Sequence, residues 1–127
     1  MPNGSLHRYY GAAKIVLNDH WPDMAAKGFV SNRIFDAGLS EAFVISAAFQ
    51  GAELFEGSIV TYQTVDELKR AADRWLADDV GRRQRARTLR ELVLAAHTFD
   101  HRAAAITEVV ERLHERRARG PADAPPA

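Results

Sequence analysis

Four polar residues, Asn18, Asp19, His20 and Asp23, crowd the end of an apolar run, KIVLN (Lys14–Asn18). The pattern Asp-His-x-x-Asp contains the donor types of a divalent-metal site or of a general base. Polar residues also gather at strand ends simply because the following loop is wet. A second set begins at Gly28, Phe29, Val30, Ser31 and Asn32, which open a stretch of helical spacing carrying Arg33 and Asp36 in its first turns. Free N–H groups at a helix start, with the helix dipole behind them, suit a phosphate. Arg33 can clamp a phosphate and Asp36 can accept from ribose hydroxyls. The simpler reading of that spacing is an i,i+3 ion pair, worth about 0.2–0.5 kcal/mol. His97 and His101 are four apart, a metal-ligand spacing on a continuous helix, but Thr98 reads as a cap that places His97 outside it. The run GRRQRAR (Gly81–Arg87) has the charge to touch nucleic acid. Its interleaved apolar positions and acidic flanks favour a solvated helix face instead.

The elements that must position these residues follow from periodicity. KIVLN is short and β-branched and reads as a buried strand, as does AFVIS (Ala42–Ser46). Between them Pro22 and Gly28 bracket a loop with a turn at Met24–Lys27. Ser31 or Asn32 then caps a helix with Ile34, Phe35, Gly38 and Leu39 on its apolar face. Strand, helix and strand make a βαβ unit with parallel strands. Ligands of open parallel sheets collect beyond the carboxyl ends of the strands, which is where the segment 18–32 lies. Gln50–Phe55 reads as a short helix and SIVTY (Ser58–Tyr62) as a third strand. Thr64 and Glu67 form a capping box before a helix with Val65, Leu68, Ala72, Trp75 and Leu76 on one face. A second helix follows, with Ala86, Leu89, Val93 and Ala96 on one side. In a third, Phe99, Ala103, Ile106, Val110 and Leu113 recur at intervals of three and four. The expected fold is α/β, a small parallel three-stranded sheet with flanking helices and a helical C-terminal segment. Residues 1–118 form the domain, and residues 119–127, rich in Pro and Ala, a disordered tail.

Composition sets further bounds. The chain has 127 residues, enough for one core, and 17 basic against 17 acidic residues, so no overall field draws it to nucleic acid or to an anionic membrane. It has no cysteine, which removes disulfides, thiolate zinc sites and cysteine nucleophiles together. No run approaches the roughly 20 apolar residues of a membrane span. The N-terminus lacks the apolar core of a signal peptide, so the expected location is cytoplasmic.

Taken in order, the segments KIVLNDHWPDM, SNRIFDA, AFVIS, AELFEG, VTYQTVDEL, WLADD and HTFDHRA resemble one family. They look like the C-terminal part of GT-B glycosyltransferases, in particular the CgeB-like "glycosyl transferases group 1" domain. The resemblance runs from about Tyr9 to Val110. It implies a Rossmann-like domain that binds a nucleotide-sugar donor, facing a second Rossmann half that holds the acceptor. It also implies donor binding without a metal ion and without a cofactor, the nucleotide-diphosphate sugar being the substrate. In related enzymes a Glu-x7-Glu segment contacts the donor. Its second carboxylate falls on Asp36, and its first falls on Gly28, so that acid is absent. Arg33 matches the family's arginine before the aromatic residue.

The donor contacts implied are Asn18, Gly28, Phe29, Val30, Ser31, Asn32, Arg33 and Asp36, and no catalytic base is identifiable. Two positions depart from the family pattern. Glu41 stands where the helix-to-strand turn usually has glycine, and Ser46-Ala47 stands where Ser-Asp is common. The family's N-terminal Rossmann half is not in this sequence, so it is expected as a missing half or a partner chain. The 127-residue chain by itself is expected to turn over no nucleotide sugar. The alternative is a non-catalytic interaction module that retains the glycosyltransferase fold.

Overall fold

The computed structural model describes residues 3–119. Residues up to Ala95 form one compact unit and those from Ala96 a second. The first unit contains α1 (Leu6–Ala12), β1 (Val16–Asn18), α2 (Pro22–Ala26), α3 (Asn32–Leu39) and β2 (Val44–Ala47). A 3-10 turn at Ala52–Phe55, then β3 (Val60–Tyr62), α4 (Val65–Ala77) and α5 (Asp79–Ala96) complete it. The second unit is α6 (Phe99–Arg119). The remainder of the expected tail, 120–127, lies outside the described residues.

The sheet is parallel throughout, in the order β1-β2-β3. Alternation along β2 divides its core in two, because successive side chains of a strand point to opposite faces. Ala42 and Val44 pack with Val16, Ile34, Ala37, Phe49, Phe55, Leu89 and Val93. Phe43 and Ile45 pack with Trp75 and Ala86 on the other side. Helices thus cover both faces, as a buried parallel sheet requires. Cover is incomplete at the edge strand β1, where Leu17 is exposed.

The starts of α3 and α4 are those that local chemistry dictates. Ser31 Oγ accepts from the Arg33 N–H at the start of α3. Thr64 and Glu67 form a complete capping box on α4, with acids in its first turn. The buried faces differ in detail from the periodicity. In α3 the buried residues are Ile34, Ala37 and Gly38, whereas Leu39 is exposed. Gly38 lets α3 approach α5 closely: a Cβ there would sit 3.0 Å from Leu89 Cγ and 3.1 Å from Val93 Cγ2. In α4 only Trp75 is buried, and Val65 and Leu76 are exposed. Every apolar position of the α6 row, from Phe99 to Leu113, is exposed.

The arginine run is not the uniformly solvated face expected. Arg82 is buried, donating to the carbonyls of Trp75 and Leu76 and to Asp79 Oδ1. Arg85 lies over the Trp75 ring, 4.8 Å from its centroid, and donates to the Gly57 carbonyl. These arginines tie the α4–α5 corner to itself and to the turn before β3.

Helices α2 and α3 end alike. Phe29 N–H donates to Met24 O and Gly28 N–H to Ala25 O; Ala42 N–H donates to Ala37 O and Glu41 N–H to Gly38 O. This pairing closes a helix by a residue in the left-handed region. Gly28 (φ +68°) takes it freely, and Glu41 (φ 54°) takes it under strain. The departure seen at Glu41 in the sequence is therefore a backbone position that favours glycine. Left-handed backbone costs a residue with Cβ about 1–2 kcal/mol. Against that stand an exposed 3.3 Å ion pair with Arg87, worth about 0–1 kcal/mol, and the freer unfolded chain of a glycine variant. Glu41→Gly is expected to leave the protein equally stable or to gain up to about 1 kcal/mol in urea unfolding. A loss above about 0.5 kcal/mol would mean that the Arg87 pair outweighs the strain.

Candidate functional site at the strand carboxyl ends

The parallel register places Asn18, the last residue of β1, beside Ser46 of β2. Both side chains are buried, and Asn18 Nδ2 donates to Ser46 Oγ at 2.9 Å. Ser46 Oγ donates in turn to the Ala47 carbonyl at 2.9 Å. His20 follows β1 in the next loop, its Nδ1 lying 3.4 Å from Asn18 Nδ2. Its ring lies against Phe49, the centroids 4.6 Å apart. Two polar atoms of this cluster are buried without a partner among the described residues, Asn18 Oδ1 and His20 Nε2. Leaving a buried polar group unpaired costs about 1–3 kcal/mol, so such atoms mark a place to look for a ligand or an ordered water.

Charge is distributed around them. Burial holds His20 below its ordinary pKa; the Asp19 carboxylate pulls the other way and Arg33 reinforces the lowering. Tyr62, at the end of β3, is pushed up by burial and by Asp19. The ends of all three strands therefore face one locality, as the sheet's topology demands.

The loop into α3 supplies the rest. Gly28 and Phe29 use their N–H groups to close α2, and Gly28 stands against Gln50 of the loop after β2. The N–H groups of Val30, Ser31 and Asn32 have no partner among the described hydrogen bonds. Arg33 stands in the first turn of α3, its Nη1 donating weakly to the Leu17 carbonyl at 3.4 Å. The ion pair with Asp36 that spacing favoured is not formed, and no carboxylate pairs with Arg33 among the described residues. The reason is direction: Arg33 reaches back to β1, while Asp36 lines a groove of about 390 Å³ with His7, Tyr10 and Leu39.

Asn18 and Arg33 are thus brought together at the strand ends, with 30–32 beside them and Asp36 a turn further on. Ser46, Phe49 and Tyr62 are not among the site residues that the sequence points to. The strand-end rule applied to β2 and β3 as well as β1 would have pointed to Ser46 and Tyr62. Nothing local marks Phe49.

Elsewhere, a cavity of about 450 Å³ opens at the opposite, amino-terminal ends of the strands, where Arg83 and Arg87 are already paired with Asp79 and Glu41. Among the described residues no three His, Asp or Glu side chains are grouped so as to hold a metal, the set Asp19, His20 and Asp23 included. Thr98 does cap α6, accepting from the His101 N–H, so the two histidines do not share a helix face. No described helix is long and apolar enough to cross a membrane.

Among curated proteins and among solved structures, no match to the chain was found. A comparison with protein families matches residues 1–108 to the glycosyl transferase-like family. That stretch takes in the whole sheet, the strand-end cluster and the start of α6, and the chain belongs to the glycosyl transferase-like family.

Proposed function

We propose that this domain is the donor-binding part of a GT-B glycosyltransferase of the CgeB-like type. It holds the diphosphate of a nucleotide sugar for transfer to an acceptor. The observation that carries the reading is Arg33, a cation with no carboxylate partner among the described residues, beside three unpaired N–H groups at the carboxyl ends of a parallel sheet. An anion there would gain charge-assisted hydrogen bonds from the guanidinium and the helix start. In this reading Asp36 accepts from ribose hydroxyls, and Asn18 lines the floor of the site.

Titrating the ¹⁵N-labelled chain with UDP, GDP and ADP tests it. Resonances of residues 30–33 are expected to move saturably with at least one nucleotide. Asp36→Asn, on an exposed side chain with no described partner, is expected to weaken that binding without unfolding the chain. No shift at 30–36 at millimolar nucleotide would remove the donor site.

A second reading has its own support. The row Phe99, Ile106, Val110 and Leu113 is exposed on α6, an apolar helix face that suits a non-catalytic interaction module. The same titration separates the two, since that module needs no nucleotide.

A further inference from the structure

The bonds around the two orphaned atoms determine what each can do. Ser46 Oγ–H donates to the Ala47 carbonyl, so Ser46 meets Asn18 as an acceptor. That orients the Asn18 amide, with Nδ2 toward Ser46 and Oδ1 away. Nδ2 also faces His20 Nδ1 at 3.4 Å, which makes Nδ1 an acceptor and leaves the proton of the neutral ring on Nε2. The lowered basicity of His20 agrees with one ring proton at neutral pH. The orphans therefore have opposite polarity. Asn18 Oδ1 accepts and His20 Nε2–H donates.

This pair discriminates among ligand groups. A phosphate oxygen only accepts: it would satisfy Nε2–H and set a negative charge against Oδ1. A hydroxyl, or two neighbouring hydroxyls of one ring, matches both polarities, able to accept from Nε2–H and to donate to Oδ1. We infer that Asn18 and His20 form a hydroxyl-recognising pair of the donor site, taking a sugar hydroxyl while Arg33 and the start of α3 take the diphosphate. The inference rests on the donor-binding reading. Asn18 is held by its strand and by Ser46, whereas His20 sits in a segment outside helix and strand. Both orphaned atoms are screened from solvent, so the inference requires the segment that carries His20 to move aside when the hydroxyl binds.

The hydroxyl has two sources, the ribose and the transferred sugar, and two comparisons distinguish them. Whichever of UDP, GDP and ADP binds best is compared with its 2′,3′-dideoxy analogue and with its glucose conjugate. The wild-type chain is expected to prefer the hydroxyl-bearing partner of one of these comparisons by about tenfold. His20→Phe keeps a ring against Phe49 and removes Nε2–H, and is expected to bind the two members of that comparison equally. Absence of any preference in the wild type, or a preference intact in His20→Phe, would overturn the pair. A second readout needs no variant: long-range ¹H–¹⁵N spectra of the wild type should show the Nε2–H tautomer of His20 and a shift at saturation. The Nδ1–H tautomer, or an unmoved ring while residues 30–33 respond, overturns the inference and leaves the donor site standing. If no nucleotide binds at all, both fall.

Discussion

Arg33→Gln is expected to weaken nucleoside diphosphate binding by about tenfold or more, the largest loss from any single exposed residue of this domain. The guanidinium is exposed, makes one long hydrogen bond to the Leu17 carbonyl and has no acidic partner among the described residues. Its charge is therefore available to a ligand, and removing it deletes about 1.5–3 kcal/mol of charge-assisted bonding. Little stability should be lost with it, because a single weak surface bond contributes at most a few tenths of a kcal/mol to about 1. Arg33→Lys is expected to fall between, since lysine keeps the charge and loses the planar fork. Calorimetric titration of the three proteins with the tightest-binding nucleotide, at two salt concentrations, separates these contributions. Equal affinity for wild type and Arg33→Gln would place the diphosphate somewhere other than the start of α3.

Phe55→Ala should be the most destabilising single truncation, costing about 3–5 kcal/mol in urea unfolding. Phe55 is fully buried and lies in the principal core cluster. Its ring is 5.9 Å from that of Phe35 and 6.4 Å from that of Phe49. Phe49 in turn carries the His20 ring. The lost ring would leave a cavity between α3 and the turn before β3, and such close-packed surroundings relax only in part. The effect should also reach the site. With Phe49 less well held, His20 should exchange between ring orientations, seen as broadening of its ring resonances in the variant. Destabilisation below about 1 kcal/mol would mean that Phe35 and Phe49 collapse into the space, contrary to a tightly packed aromatic row.

Much of this arrangement was legible in the chain. Short β-branched runs, a cap at Ser31 or Asn32 and the Thr64–Glu67 capping box are local signals, each acting within four residues; the structure has the strands and the box, and Ser31 is the cap. The parallel order of the strands followed from the crossovers between them. Glu41 stood out against a family pattern, and its positive φ supplies the backbone reason.

Other features depended on which groups meet across long separations. Spacing alone favoured an Arg33–Asp36 pair, because residues three apart on a helix are neighbours. The packing of α3 between β1 and α1 sends the two side chains in different directions, Arg33 to the edge of the sheet and Asp36 to the α1 groove. Likewise, Arg82 belongs to a run that reads as solvated, yet the turn between α4 and α5 offers it two carbonyls and Asp79, and it is buried there.

The sequence by itself determined the three strands, the long helices and the family resemblance, and the strand-end rule named the end of the sheet at which a site is sought, because each is written in local periodicity or in residue order. Tertiary structure alone decided which groups meet at that candidate site. Asn18 and Ser46 are 28 residues apart and meet only through the strand register. His20 acquires its ring partner, its lowered basicity and its unpaired Nε2 from burial against Phe49 and from the nearby Arg33. Hydrogen-bond polarity and desolvation are properties of neighbours in space, and no local pattern in the chain encodes them.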